Sequence, residues 1–199
     1  MVEKMAAALI NGMVDEALID KNKKEEYIYA FITLMEQALT VLTIFIISIS
    51  VNLIIPTFMF LLLFFSLRKR TGGYHADNFL KCYIGTVMIY VLIITVIYPL
   101  LMENPIVMYV LLVISAIFIE IIGTVNHPNM DLNLGELAEA QKAARLVNIL
   151  EVFCIVVAAG IGADRICITL MSLAVILCAV LLGISKIIKQ EVKEDAKEN

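Results

Sequence analysis

One short stretch gathers the residues of this chain best suited to covalent chemistry. Residues 68–82 read Arg68-Lys69-Arg70-Thr71-Gly72-Gly73-Tyr74-His75-Ala76-Asp77-Asn78-Phe79-Leu80-Lys81-Cys82. The stretch holds one of two histidines, one of four cysteines, two adjacent glycines and the cations Arg68, Lys69, Arg70 and Lys81. A thiol is a poor nucleophile until it ionises. An imidazole within hydrogen-bond reach can take its proton, and neighbouring cations favour the anion. Attack of a thiolate on a carbonyl is therefore the chemistry this combination suits. His75 and Cys82 are seven apart, so an unbroken helix would hold them about 10.5 Å apart along its axis. A base needs its nucleophile within roughly 3 Å. If the two act together, the backbone around His75 must depart from the helix that carries Cys82. Gly72 and Gly73 supply the freedom for that turn, and their amides are available for an oxyanion site. A glycine loop carrying His75 as an ordinary interfacial polar residue accounts for the same composition, and on the residues alone both readings stand.

The elements that would position this stretch are written in the hydropathy. Of 199 residues, 61% are hydrophobic and 17% charged, with a mean hydropathy of +0.94. Soluble domains carry roughly 45–50% apolar and about 25% charged residues, so the chain has too little polar surface for a water-soluble globule. Its richness in Ile, Leu and Val excludes disorder, and a net charge of −4 argues against a nucleic-acid binder. The other cysteines, Cys154, Cys167 and Cys178, fall in apolar runs, where a thiol acts as a small hydrophobe. The pattern predicts an all-α polytopic membrane protein. At about 20 apolar residues per crossing, six spans are expected, at 29–50, 52–67, 82–101, 105–125, 146–163 and 166–188. Very short turns at Ser50–Asn52, Met102–Asn104 and Gly162–Arg165 pair them into three hairpins. All but Arg165 of the 15 Lys and Arg then lie on one side, which the positive-inside rule makes cytoplasmic, together with both termini. Residues 1–28 carry apolar positions at helical spacing (Val2, Met5, Leu9, Ile10, Met13), which fits an amphipathic helix on the inner leaflet or against the bundle. Residues 29–188 form the membrane domain with the loop 68–82, and 189–199 a charged cytoplasmic tail.

Further polar residues are candidates for supporting the site. Glu36, Glu120 and Glu151 interrupt the spans, each in the cytoplasmic third of its helix. Ionisable groups at such depth usually face a bundle interior or polar cavity, and their common depth with the 68–82 loop suggests a polar chamber. Protonation or local pairing near the headgroups is the plainer account. Asp77 is placed either to orient the imidazole or to cap the following helix, and Asn78 is a weaker candidate for both. Arg68, Lys69 and Arg70 mark the end of the second span and are suited to an acidic part of a substrate. His127 lies in a turn-forming run with Pro128 and Asn129. A metal site from His75, His127 and Cys82 is arithmetically possible, but no spacing calls for it; no metal or other cofactor is expected.

The run Arg70-Thr71-Gly72-Gly73-Tyr74-His75-Ala76 with Cys82 seven residues after the histidine resembles the accessory gene regulator B (AgrB-like) membrane cysteine peptidases. Size, the multi-span pattern, the basic loop before the third span and Asn126-His127-Pro128-Asn129 extend the similarity over roughly residues 30–190. The resemblance implies His75 as general base and Cys82 as nucleophile. It further implies a bacterial cell-membrane enzyme that cleaves a short AgrD-like precursor through an acyl-thioester, helping to make a cyclic thiolactone or lactone quorum-sensing signal. It also implies a homodimer. A small multi-span peptide transporter or a non-catalytic export adaptor are the competing classes, and neither needs His75 or Cys82.

Overall fold

In lipid the backbone amides of a single span must find partners within the segment, and only helix provides them. The computed structural model describes residues 2–16, 20, 24–72, 79–125 and 133–188, and every regular element among them is helical. In chain order these are α1 (Val2–Asp15), α2 (Lys24–Ser50), α3 (Ile54–Thr71), α4 (Phe79–Leu92), a π-helical stretch (Ile93–Ile97), α5 (Tyr98–Glu103), α6 (Pro105–Ile122), α7 (Leu134–Gly160) and α8 (Arg165–Ile187). The chain is an all-α, multi-pass membrane protein, as its hydropathy led us to expect.

Five stretches among the described residues are long and apolar enough to cross a bilayer: Ala30–Ser50, Leu80–Glu103, Pro105–Ile122, Leu134–Gly160 and Arg165–Ile187. The sixth expected span, 52–67, coincides with α3, whose last turn is occupied by Arg68, Lys69 and Arg70. Its apolar part is left at about 14 residues, or about 21 Å of helix, against roughly 30 Å of hydrocarbon. α7 starts at Leu134, well before the expected 146, because a reciprocal cap begins it there. The Asn133 side chain accepts from the Glu136 amide at 2.9 Å and the Glu136 carboxylate accepts from the Asn133 amide at 3.0 Å, a capping box. Between Leu80 and Glu103 the helix widens to π geometry over Ile93–Ile97. Pro99 has no amide to offer the Thr95 carbonyl and its ring crowds that group; the Tyr98 amide reaches back to the Ile93 carbonyl instead. The three short connections lie close to where the sequence places them. Asn52 (φ 56°) and Gly162 (φ 75°) adopt the left-handed backbone that two of these turns require.

The chain divides into two compact units. The first, Met1–Val51 with Ala76–Tyr90, contains α1, α2 and most of α4. The helix expected within 1–28 is found as α1; it packs on α2 and buries Ile10. The Tyr83 and Thr43 hydroxyls, 3.0 Å apart, tie α4 to α2. The second unit, Asn52–His75 with Val91–Asn199, is built around α8, which packs against α3, α5, α6 and α7. Ile168, Leu170, Leu173, Val175, Cys178 and Leu182 of α8 are buried. The Phe60 and Phe64 rings of α3 stack 5.8 Å apart, and the Cys178 thiol approaches the Phe64 carbonyl at 3.6 Å. Lipid tails are as apolar as these side chains, so close packing and interhelical hydrogen bonds, rather than escape from water, hold such a bundle. Ile106, Ile114 and Ile121 on the outer face of α6 are exposed, as a lipid-facing surface requires.

Candidate active site

Cys82 lies in the first turn of α4 and its thiol is free and exposed. Tyr83 turns the other way, toward α2, through its contact with Thr43, and Tyr90 two turns on is buried. That anchored face sets the rotation of α4 and leaves the flank with Leu80, Lys81 and Cys82 outward. Gly85, one turn beyond the thiol, has nothing among the described residues within 4 Å of where a Cβ would stand. Of the residues expected to act with it, Gly73, His75, Asp77 and Asn78 lie outside the described residues, as do His127 and the tail 189–199.

The end of α3 is held with unusual firmness. Gly72 breaks the helix with φ 66° and ψ −145°, and its amide returns to the Arg68 carbonyl at 3.1 Å. Arg68 does not project freely toward a ligand: its guanidinium donates to the Gly72 carbonyl. Lys69 and Arg70 remain exposed. Two bonds then cross to the turn that follows α6. The Thr124 hydroxyl donates to the Arg70 carbonyl at 2.9 Å and the Val125 amide donates to the Thr71 carbonyl at 3.1 Å. Gly123 makes this turn possible, with φ 71°, and Gln141 of α7 presses where its Cβ would be.

The three intramembrane carboxylates divide between the units. Glu36 is half-buried on α2, in the first. Glu120 and Glu151 are in the second and are linked through a residue the sequence reading passed over. Asn148, 1% exposed, donates to the Glu120 carboxylate at 2.6 Å and to the Ala116 carbonyl at 3.2 Å. Glu151, one turn further along the same buried face of α7, is 5% exposed. The Ser66 hydroxyl of α3 lies beside it, yet among the described residues neither carboxylate oxygen has a donor in hydrogen-bond geometry. The Asn148 Oδ1, Arg145 Nε and Ser185 Oγ atoms are also buried without partners among the described residues. An Asn three residues before a Glu inside an apolar helix was the available signal for this polar stripe. At the other end of the helices, a cavity of about 30 Å³ between Leu101, Met108, Arg165 and Thr169 has room for about one water molecule, and none for a peptide.

These features define a multi-pass helical membrane protein with an accessible thiol at the start of one spanning helix. The chain belongs to the accessory gene regulator B family, whose model matches residues 3–188. Membership associates it with the processing of quorum-sensing peptides from AgrD-like precursors. Comparison with curated proteins and with solved structures returns no match, so the assignment rests on the family model.

Proposed function

We propose that the protein is a cysteine endopeptidase of the bacterial cell membrane that cuts an AgrD-like precursor and promotes its cyclisation, with Cys82 as nucleophile and His75 as base. His75 takes the thiol proton and the sulfur attacks the scissile carbonyl. Collapse of the tetrahedral adduct breaks the C–N bond; the same proton passes from the imidazole to the leaving amine, and the carboxy-terminal fragment departs. The acyl group stays on Cys82 as a thioester. A thiol or hydroxyl of the bound precursor then attacks that carbonyl, closes a thiolactone or lactone ring and returns the sulfur with its proton. The Gly73 amide would serve the oxyanion, the expected Gly72 amide being engaged by the Arg68 carbonyl; Asp77 would orient the imidazole, and Glu36, Glu120 and Glu151 would add polar groups to the approach.

The observation that carries this reading is the exposed, unpaired Cys82 thiol with open space beside Gly85, in a chain of this family. Both termini and the 68–82 loop are cytoplasmic in this reading, on the distribution of Lys and Arg. α3 completes an even number of crossings, with Arg68, Lys69 and Arg70 snorkelling and the bilayer thinning to meet its short apolar part. A homodimer belongs to the same reading on the resemblance alone. The test is cleavage of an AgrD-like precursor by protein in liposomes, followed by mass spectrometry. Cys82→Ser and His75→Ala should insert normally and release no fragment, and wild-type protein should carry a hydroxylamine-sensitive acyl adduct on Cys82. Unchanged cleavage in both variants overturns the proposal.

A further inference from the structure

We propose that Glu151 and Asn148 form a proton-binding site inside the second unit, the Glu151 carboxyl holding a proton that it donates to the Asn148 Oδ1 atom. This site lies beyond the peptidase chemistry proposed for Cys82 and does not depend on it. Asn148 and Glu151 are three residues apart on α7, which makes their side chains neighbours on one face of the helix. They are 1% and 5% exposed. The orientation of the Asn148 amide is settled by its partners. One end reaches the Ala116 carbonyl at 3.2 Å and the Glu120 carboxylate at 2.6 Å. A backbone carbonyl can only accept, so that end is the NH2 group. Oδ1 is left as a buried acceptor, and among the described residues it has no donor. The same holds for both oxygens of Glu151. An ionised Glu151 would only add acceptors to this end of the stripe. One proton turns a Glu151 oxygen into a donor and gives Oδ1 its partner.

A bare carboxylate at this depth is costly, and the groups around it decide what neutralises it. α7 packs on α3, α6 and α8. On α3 the Ser66 hydroxyl lies beside the carboxyl, and Arg68 gives its guanidinium to the Gly72 carbonyl. On α6 the ionisable neighbour is Glu120, a second acid, held through Asn148. α8 presents the buried Cys178 thiol, directed to the Phe64 carbonyl; Lys186 stands about 12 Å further along that helix. Arg145, on α7 itself, is six residues before Glu151. That is about 9 Å along the axis and about 120° round it. Among the described residues no group of three or more His, Cys, Asp or Glu could hold a metal ion. The ligand that fits two acceptors and a second acid nearby is a proton.

The experiment is infrared spectroscopy of the full chain in liposomes, wild type against Glu151→Gln. At neutral pH wild type should show a C=O stretching band of a protonated carboxyl that the glutamine variant lacks. In Asn148→Leu the band should move to higher frequency, because the proton has lost its acceptor. In Glu120→Gln it should persist. Where a variant fails to insert, Glu151→Met and Asn148→Ala take their places with the same readout. Ionised-carboxylate bands from Glu151 at neutral pH, whether or not they respond to added sodium, overturn the inference. So does a band that Glu120→Gln removes and Glu151→Gln keeps. A band left in place when Asn148 is replaced overturns the pairing with Asn148. No readout here requires precursor cleavage, so failure of this site and failure of the Cys82 chemistry are told apart.

Discussion

Replacing Gly123 by alanine tests the turn that holds the end of α3, and its cost can be worked from two separate terms. Gly123 has φ 71° and ψ −93°, a backbone region in which a Cβ is crowded; residues held in such regions cost about 1–3 kcal/mol. The added Cβ would also stand 3.1 Å from Cγ and 3.2 Å from Cβ of Gln141, with the Gln141 Cα at 3.5 Å. Cγ can swing away, but Cβ moves only with the α7 backbone, so a shift of a few tenths of an ångström is forced. Against these stands a gain of about 0.4–1 kcal/mol from the stiffer unfolded chain. The net expectation is a loss of about 1–3 kcal/mol in equilibrium unfolding by SDS in mixed micelles. Gly12→Ala is the control: it lies inside α1 with nothing within 4 Å of the new Cβ, and should stabilise by about 0.5–1 kcal/mol. Gln141→Ala added to Gly123→Ala should recover the contact term and not the backbone term. If Gly123→Ala unfolds within about 0.5 kcal/mol of wild type, or the Gln141 change restores full stability, the strain assigned to this turn is wrong.

Other substitutions probe the polar stripe and the ends of the helices. Asn148→Leu removes the 2.6 Å bond to Glu120 and should cost about 1–2 kcal/mol in the same titration; a stability equal to wild type would show that the bond contributes nothing net. Glu36→Gln, Glu120→Gln and Glu151→Gln should insert normally, and the proposed polar approach predicts slower precursor cleavage in them; wild-type rates in all three would remove the carboxylates from the mechanism. Asn133→Ala breaks the capping box of α7 and should destabilise by about 1 kcal/mol, read as earlier hydrogen exchange of the Leu134–Ala138 amides; unchanged exchange there would refute the cap.

What the sequence made legible was whatever depends on composition and short range. Apolar runs of spanning length mark the helices, and the connections at Asn52, Asn104 and Gly162 follow from residues that either end a helix or tolerate its reversal. The Cys82 thiol could be singled out because the other three cysteines sit in apolar runs. The Asn133-to-Glu136 capping box was in plain view, and it starts α7 twelve residues before the span that hydropathy marks, because amphiphilic first turns do not register as an apolar run. α3 is the harder case, because its three terminal cations shorten the apolar stretch on which a crossing is read. The π-helical widening needed Pro99 to be weighed together with the carbonyl four residues before it. The Thr124–Arg70 bond and the Asn148–Glu120 bond join residues 54 and 28 positions apart, and no local pattern announces such pairs. They depend on which helix faces which, and that is settled by packing around α8.

The chemistry proposed for Cys82 places an unusual demand on that packing. A protease that only hydrolyses needs its acyl-thioester to meet water; one that cyclises needs the thioester to meet a group on the same bound peptide first. Exchange of one thioester for another is close to balanced, while hydrolysis is irreversible, so the ring survives only if closure is the faster branch. Well-oriented intramolecular reactions reach effective molarities of about 10⁵–10⁸ M, beyond any concentration at which water is present. Orientation alone therefore lets closure outrun hydrolysis, even at a thiol as exposed as Cys82. Exclusion of water would add to that advantage without being its source. On this argument rigidity at the loop's anchors matters more than dryness at the sulfur.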